Sequence, residues 1–357
     1  MAQGSVLVAM SGGVDSSVAA CLLAEQGFDV VGSHMRLVHT GGVDHGCCGP
    51  TAEADARAVA DLAGFPFEVV DLSEAFRRTV LADFFAEHDA GRTPNPCSRC
   101  NADIKFGAFL QRADELRMDF VATGHYVRTE RDAAGHWHLY RGSDRSKDQS
   151  YMLHMLGQRQ LALSLFPVGG GPKAATRAHA RRLGLPVAAK PDSQDVCFVP
   201  GADHGAFLER RAPQLAREGH VVDPAGRVLG RHGGTFRFTV GQRRGLGVST
   251  GRPSYVLSLD RRSNSVVVGP AELLSSRGLE ADGVSWVAGS PPASGPFEAA
   301  VRVRYRGEDA ASVIEPSGDR ATVEFKVPQR AVAPGQNAVF YRGHEVLGGG
   351  RIIRTLR

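Results

Sequence analysis

Three stretches of the 357-residue chain carry side chains whose types and spacing suit chemistry. The first, Ser11-Gly-Gly-Val-Asp-Ser-Ser17, combines glycines, hydroxyls and a carboxylate in consecutive positions. Glycines let a backbone approach a ligand, hydroxyls and amides donate to phosphate oxygens, and a carboxylate such as Asp15 can hold magnesium beside them. The second, Gly91-Arg-Thr-Pro-Asn-Pro-Cys-Ser-Arg-Cys100, continues through Asn101 to Phe106. Prolines on both sides of Asn95 favour an extended loop, and a helix is expected to start at Cys100. A thiol at a helix N-terminus beside Arg99 and Lys105 has thiolate character and suits a nucleophile. The alternative is a Cys-x-x-Cys zinc knuckle, but Cys47-Cys48 has the wrong spacing for its second pair. The third, Lys190-Pro-Asp-Ser-Gln-Asp-Val-Cys197-Phe-Val199, sets a thiol after the polar run Asp192, Ser193, Gln194 and Asp195. Pro191 and Pro200 bracket it as a loop, with a buried structural cysteine as the alternative.

Alternating strands and helices must position these groups. The apolar run 6–10 without polar alternation reads as a buried parallel strand, and the residues after Ser17 follow helical periodicity. The glycines therefore sit at a strand-to-helix turn, where the first helical amides make an anion cradle. Residues 28–32, 67–71 and 120–124 read as further strands and 53–62 as a helix. The pattern implies an α/β, doubly wound parallel sheet with ligands at the carboxyl ends of its strands, where Gly12, Met35 and Gly124-His125 fall. Beyond about residue 204, short Val- and Phe-rich segments at 236–240, 255–259, 265–269, 299–305, 322–327 and 338–341 are separated by glycine and proline, which suits small β-barrels. The expected domains are 1–204, 205–275 and 276–357.

Composition is that of a globular chain, 42% hydrophobic and 22% charged, with no segment apolar enough to span a bilayer and no secretory leader. A cytoplasmic location without membrane partners follows as the expectation. The net charge of +4 is modest, but arginines, among them Arg243 and Arg244, crowd the stretch from Arg210 to Arg262 against few acids. That suits either a phosphate backbone or a solvated face. Six cysteines in such a chain are better read as buried, catalytic or metal-binding than as a disulfide framework.

The first motif lacks the Gly-Lys-Ser/Thr ending of a Walker loop and the Gly-x-Gly-x-x-Gly of a dinucleotide fold. It resembles the pyrophosphate loop of N-type ATP pyrophosphatases, which adenylate a carbonyl oxygen. With Arg92-Thr-Pro-Asn-Pro96, Cys100-Asn-x-x-Ile-Lys-Phe106, Ala122-Thr-Gly-His-Tyr126, Lys147-Asp-Gln-Ser-Tyr-Met-Leu153, Lys190-Pro-x-Ser-Gln-Asp-x-Cys-Phe198, Thr239-Val-Gly-Gln-Arg-Arg-Gly-Leu-Gly247 and Arg302-Val-Arg-Tyr305, nearly the whole chain resembles the tRNA-specific 2-thiouridylases.

The resemblance implies an adenine nucleotide alpha hydrolase-like ATP pyrophosphatase domain followed by small β-barrels, and sulfur insertion at the wobble uridine of tRNA. It implies ATP against Ala9, Met10, Ser11, Gly12, Gly13, Val14, Asp15, Ser16, Met35 and Gly124, with magnesium on Asp15. Ser11, Ser16 and Ser17 with the loop amides would hold pyrophosphate. Cys100 becomes the nucleophile, and Cys197 receives persulfide sulfur from a relay protein, a disulfide between the two remaining after turnover. Lys147, Asp148, Gln149, Arg304 and Tyr305 would touch tRNA, and Asn95 and Pro96 would border the flipped base. Where an aspartate often follows Asn-Pro in this family, the chain has Cys97, so no role of that aspartate carries over. An extra thiol keeps a second mechanism open, an iron-sulfur cluster on Cys97, Cys100 and Cys197. A tRNA-binding sulfur carrier that does not adenylate stays open beside it.

Overall fold

The computed structural model describes residues 3–38, 49–192, 196–199, 201, 203–249 and 251–357. Cys47, Cys48, Ser193, Gln194, Asp195 and Pro200 lie outside the described residues.

The first apolar run becomes β1 (Ser5–Ala9), in which Val6, Leu7 and Val8 are fully buried. It leads into helix α1 (Val14–Glu25), followed by β2 (Asp29–Arg36), helix α2 (Pro50–Ala63), β3 (Phe67–Asp71) and β4 (Phe120–Ala122). A hairpin of β5 (Val127–Arg131) and β6 (Trp137–Arg141) follows, then the short β7 (Ser164–Leu165). The first sheet has the order β3-β2-β1-β4-β7, and all its pairings are parallel. The chain runs outward from β1 through β2 to β3 and later returns to the other side of β1. Strand order thus reverses between β1 and β4, which opens a crevice at their carboxyl ends. β2 is longer than expected and takes in Met35, which sits inside the strand rather than after it.

Two long helical runs contain a wider π-type turn: Ser73–Phe76 with Arg77–Leu81 and Ala82–Asp89, and Pro96–Cys100 with Asn101–Ala108 and Phe109–Glu115. The second starts earlier than the sequence suggested. Asn95 caps it, its side chain accepting from the Ser98 amide at 3.2 Å, and Pro96 takes the first helical position, where a missing N–H costs nothing. Cys97 therefore occupies the first turn, and Cys100 the second.

In the middle of the chain β8 (Gly219–Val222), β9 (Val228–His232), β10 (Tyr255–Asp260) and β11 (Ser265–Gly269) form a sheet of order β10-β11-β8-β9. The stretch 236–240 is not a strand but follows a 3₁₀ turn at Thr235–Arg237. Its alternating apolar residues serve two cores instead: Phe236 packs with Phe207 and Phe198, and Phe238 with Val221 and Val256. The last third holds β12 (Ser275–Trp286), β13 (Phe297–Arg302), β14 (Ala310–Ser317), β15 (Arg320–Arg330), β16 (Asn337–Arg342) and β17 (Glu345–Leu356). They pair antiparallel in the order β12-β15-β14-β13-β16-β17, and β17 returns to β12, which closes a six-stranded barrel without free edges. Leu279, Val301, Ile314, Val323, Phe340 and Ile352 fill its interior.

The β5–β6 hairpin joins the two halves by pairing Leu139 and Tyr140 with Val346 and Glu345 of β17. Beneath it the fully buried Arg141 guanidinium lies 3.5 Å over the Tyr341 ring and 2.8 Å from Asp309, with buried Asp148 at 3.8 Å. Arg141→Ala would leave Asp148 and Asp309 short of positive charge in a low-dielectric site. It is expected to cost about 3 kcal/mol, read as a lower urea-unfolding midpoint.

Candidate active site

The loop after β1 is folded onto the start of α1 by its own hydroxyls. The Ser11 amide donates to Ser16 Oγ at 3.1 Å, Ser16 Oγ donates to the Gly13 carbonyl at 3.1 Å, and Ser17 Oγ donates to that carbonyl at 2.9 Å. Ser17 is fully buried, and its hydroxyl holds the loop. Gly12 has φ +67°, and a Cβ there would lie 2.2 Å from the Ala52 carbonyl of α2. A Cβ on Gly124 would meet the Ser16 amide at 2.5 Å, so the end of β4 lies directly against the loop. At Gly13 a Cβ would meet nothing closer than Ser11 Oγ at 3.5 Å. Protein packing does not demand that glycine, and the space above it is open. No side chain caps α1, so its first amides stay available to an anion. Ala9, Met10 and Val14 are buried, which leaves only their backbone for a nucleotide.

Charged residues ring this cradle. Lys173 Nζ is 2.7 Å from both carboxylate oxygens of Asp15 and 2.8 Å from Asp192, which also binds Lys147 at 2.9 Å and Arg177 at 2.8 Å. Burial opposes ionisation of Asp192, but the lysines prevail and lower its pKa to about 2. Lys190 Nζ donates to the Gly12 carbonyl at 2.9 Å and to Asp55 at 2.6 Å, tying the loop to α2. The Tyr126 hydroxyl donates to Asp15 at 2.8 Å; burial, and then the Asp15 charge, raise its pKa well above the phenol range. Sequence reasoning missed Lys173. The available signal was its place at the first position of the helix Lys173–Arg182, where the helix dipole disfavours a cation unless a carboxylate faces it.

Among the described residues no three His, Cys, Asp or Glu side chains gather as a metal site. Magnesium entering with a nucleotide takes most of its ligands from phosphate oxygens and water and needs only one or two carboxylates. Asp15 at the mouth of the cradle fits that part.

The thiols separate by burial. Cys100 is buried and Cys197 half-buried, and both pack into one apolar cluster with Phe76, Val80, Phe84 and Phe198. Cys97, one turn before Cys100, is exposed. Arg99, expected to support a thiolate, pairs with Asp103 at 2.6 Å. Tyr305 from the barrel reaches this helix: burial, and then the charges of Asp148 and Cys97, raise its pKa.

The expected RNA contacts are divided. Lys147 is partly exposed, and Arg304 is exposed with its guanidinium donating to the Ala331 carbonyl. Asp148 is buried, accepting from the Gly142 and Ser150 amides at 3.1 Å and facing Arg302 at 3.7 Å. The Gln149 side chain accepts from the Tyr126 amide at 2.9 Å. Asp148 is thus engaged inside the protein, whereas Gln149 is half-buried with its side-chain oxygen engaged. Asn95 is spent in part on its cap, and Pro96 is buried. In the arginine-rich middle, Arg243 and Arg244 are exposed and have no carboxylate partner among the described residues.

Three family matches divide the chain: a tRNA methyl transferase HUP domain over residues 4–201, a tRNA methyl transferase PRC-barrel domain over 205–270 and an aminomethyltransferase beta-barrel domain over 276–352. Whole-chain relatives carry a different activity in their names. The tRNA-specific 2-thiouridylase MnmA of Acidothermus cellulolyticus is 49% identical, covering 99% of this chain and 98% of that protein. That of Geobacter metallireducens is 48% identical over 98% of this chain and 97% of its own, and that of Heliobacterium modesticaldum 47% over 99% and 93%.

The two loop glycines give a separable prediction. Gly13→Ala, at φ −101° with open space for its Cβ, should keep the melting temperature. It should weaken binding of a non-hydrolysable ATP analogue by about tenfold or more, the loss of one or two charge-assisted contacts. Gly12→Ala should lower both, and calorimetry of the two variants separates the effects.

Proposed function

The chain belongs to the tRNA-specific 2-thiouridylase family, and from that membership we propose how its own residues share the reaction. It is a sulfurtransferase that uses ATP to thiolate uridine in tRNA. We take the target as the wobble uridine, extruded from the anticodon loop because its O2 is out of reach in the stack. Ala9 to Ser16, Met35 and Gly124 border the ATP, with Lys173 and the first amides of α1 facing its phosphates. O2 attacks the α-phosphorus, the bond to the β-phosphate breaks, and pyrophosphate leaves toward the open space at Gly13. Magnesium held by Asp15 would neutralise part of the phosphate charge.

The sulfur substrate is a persulfide on Cys197, delivered by a relay protein. Its terminal sulfur adds at C2, and AMP departs with the former O2. The Cys100 thiolate attacks Cys197 Sγ, so the old sulfur-sulfur bond breaks with both electrons left on the transferred sulfur. The resulting Cys100-Cys197 disulfide takes two electrons from a cytoplasmic thiol pool before the next turnover. Among the described residues no helix is long and apolar enough to cross a membrane. The observation that carries this reading is the burial of Cys100 and Cys197 in one apolar cluster, with Cys97 outside it. The same division argues against a three-thiolate iron-sulfur cluster, because Cys97, Cys100 and Cys197 are not gathered in one metal-competent group.

Anaerobic purification, iron analysis and thiolation with a persulfide donor test the assignment. Cys97→Ser should stay active, whereas Cys100→Ser and Cys197→Ser should each lose at least ~10³-fold, as expected for an essential nucleophile. Stoichiometric iron together with an inactive Cys97→Ser would transfer the sulfur to a cluster.

For the RNA, exposed Arg243 and Arg244 are read as phosphate contacts. Replacing both by alanine should weaken tRNA binding and reduce the slope of log affinity against log salt by about 2, while ATP binding stays unchanged. A salt slope equal to that of the unaltered protein would make the pair a solvated surface.

A further inference from the structure

The segment that leads into the cysteine helix is held chiefly by the C-terminal barrel. The Thr93 amide donates to the Pro334 carbonyl at 2.9 Å, and Gln336 Nε2 donates to the carbonyls of Thr93 at 2.9 Å and Pro94 at 3.2 Å. Asn337 Nδ2 donates to Ser98 Oγ at 2.8 Å, between Cys97 and Cys100 in sequence. Gly335 has φ +93°, and a Cβ there would lie 2.7 Å from the Thr93 amide, so only glycine permits this approach. Ser98 and Asn337 are buried, and Asn337 is fixed in turn by the Tyr151 hydroxyl, which donates to its carbonyl at 2.9 Å. One helical turn further, Asn101 Nδ2 donates to the Met152 carbonyl at 3.0 Å. Apolar contacts alone would tolerate small slides of the helix, whereas a buried polar seam tolerates none without leaving a donor unpaired. On its other side the helix buries Cys100 in the cluster it shares with Cys197.

We infer that Gln336 and Asn337 are positioning residues for sulfur transfer: the barrel sets the register of the helix that carries Cys100 relative to Cys197. The inference rests on Cys100 being the nucleophile. A displaced helix would leave adenylation, which takes place at the α1 cradle, and would slow the later step.

The test uses the full chain with tRNA, ATP and a persulfide donor, and follows pyrophosphate release and sulfur incorporation separately. Asn337→Ala and Gln336→Ala should each lower kcat for sulfur incorporation by roughly 10–100-fold, the scale of a misplaced reacting group, with pyrophosphate release and KM for ATP retained. Ser98→Ala combined with Asn337→Ala should be no slower than the worse single variant, because both remove one hydrogen bond. The pH profile of Cys100 alkylation by iodoacetamide should shift in the same variants. Equal losses in both steps, or unchanged sulfur incorporation, would overturn the inference, and Gln336→Ala decides alone if Asn337→Ala does not fold. Retention of thiolation by Cys100→Ser is a different result and would remove the nucleophile assignment itself.

Discussion

The contact of Lys173 with both oxygens of Asp15 holds together parts of the chain that are far apart in sequence. Asp15 belongs to the first turn of α1, Lys173 opens the helix that packs against α1 from 158 residues later in the chain, and the same ammonium binds Asp192 in the segment that runs on to Cys197. The floor of the phosphate cradle and the approach to the second thiol are thereby joined through one cation. Because the folded state holds Asp192 ionised down to about pH 2, below the usual carboxylate range, the stabilisation it contributes is present at neutral pH. It disappears only as acid titrates the folded carboxyl. Around neutral pH Asp192 therefore keeps a constant charge in this clamp.

Much of the crevice was legible because its chemistry is local. The strand, glycine loop and helix at 5–25 follow one another without interruption, and hydrophobic periodicity switches between them within a few residues. What could not be read was which side chains the tertiary fold would consume. Asp148 and Gln149 are polar and lie in the polar string Lys147-Asp-Gln-Ser150, yet Arg302 and the Tyr126 amide engage them from elements far away. Pro96 was read as a loop breaker although proline also suits the first position of a helix, and that one ambiguity moved Cys100 by a full turn. Likewise 236–240 has the alternation of a strand because two separate cores sit on its two sides.

A β-barrel was expected in the last part of the chain, and the six strands close as one around Leu279 and Phe340. Its polar outer face does more than meet solvent. Arg351 from β17 binds Asp83 at 2.7 Å and Glu87 at 2.9 Å, and Glu87 also holds Arg92 at the entry of the proline loop. On the other flank Arg261 of the middle domain pairs with Asp89 at 2.6 Å. The helix Ala82–Asp89 is thus gripped by both later parts of the chain, which gives the catalytic half a rigid wall behind its thiols.

The β5–β6 hairpin has a consequence for synthesis on the ribosome. His138 on the hairpin hydrogen-bonds Glu345 across 207 positions of sequence, and the strand that covers its edge, β17, is made that much later. At elongation rates of ~5–20 residues per second, roughly 10–40 s pass between the emergence of the hairpin and that of its partner. During that interval an open edge with unpaired amides and the apolar face of Leu139 are available to any other strand, so the nascent chain is prone to wrong pairing until β17 leaves the exit tunnel.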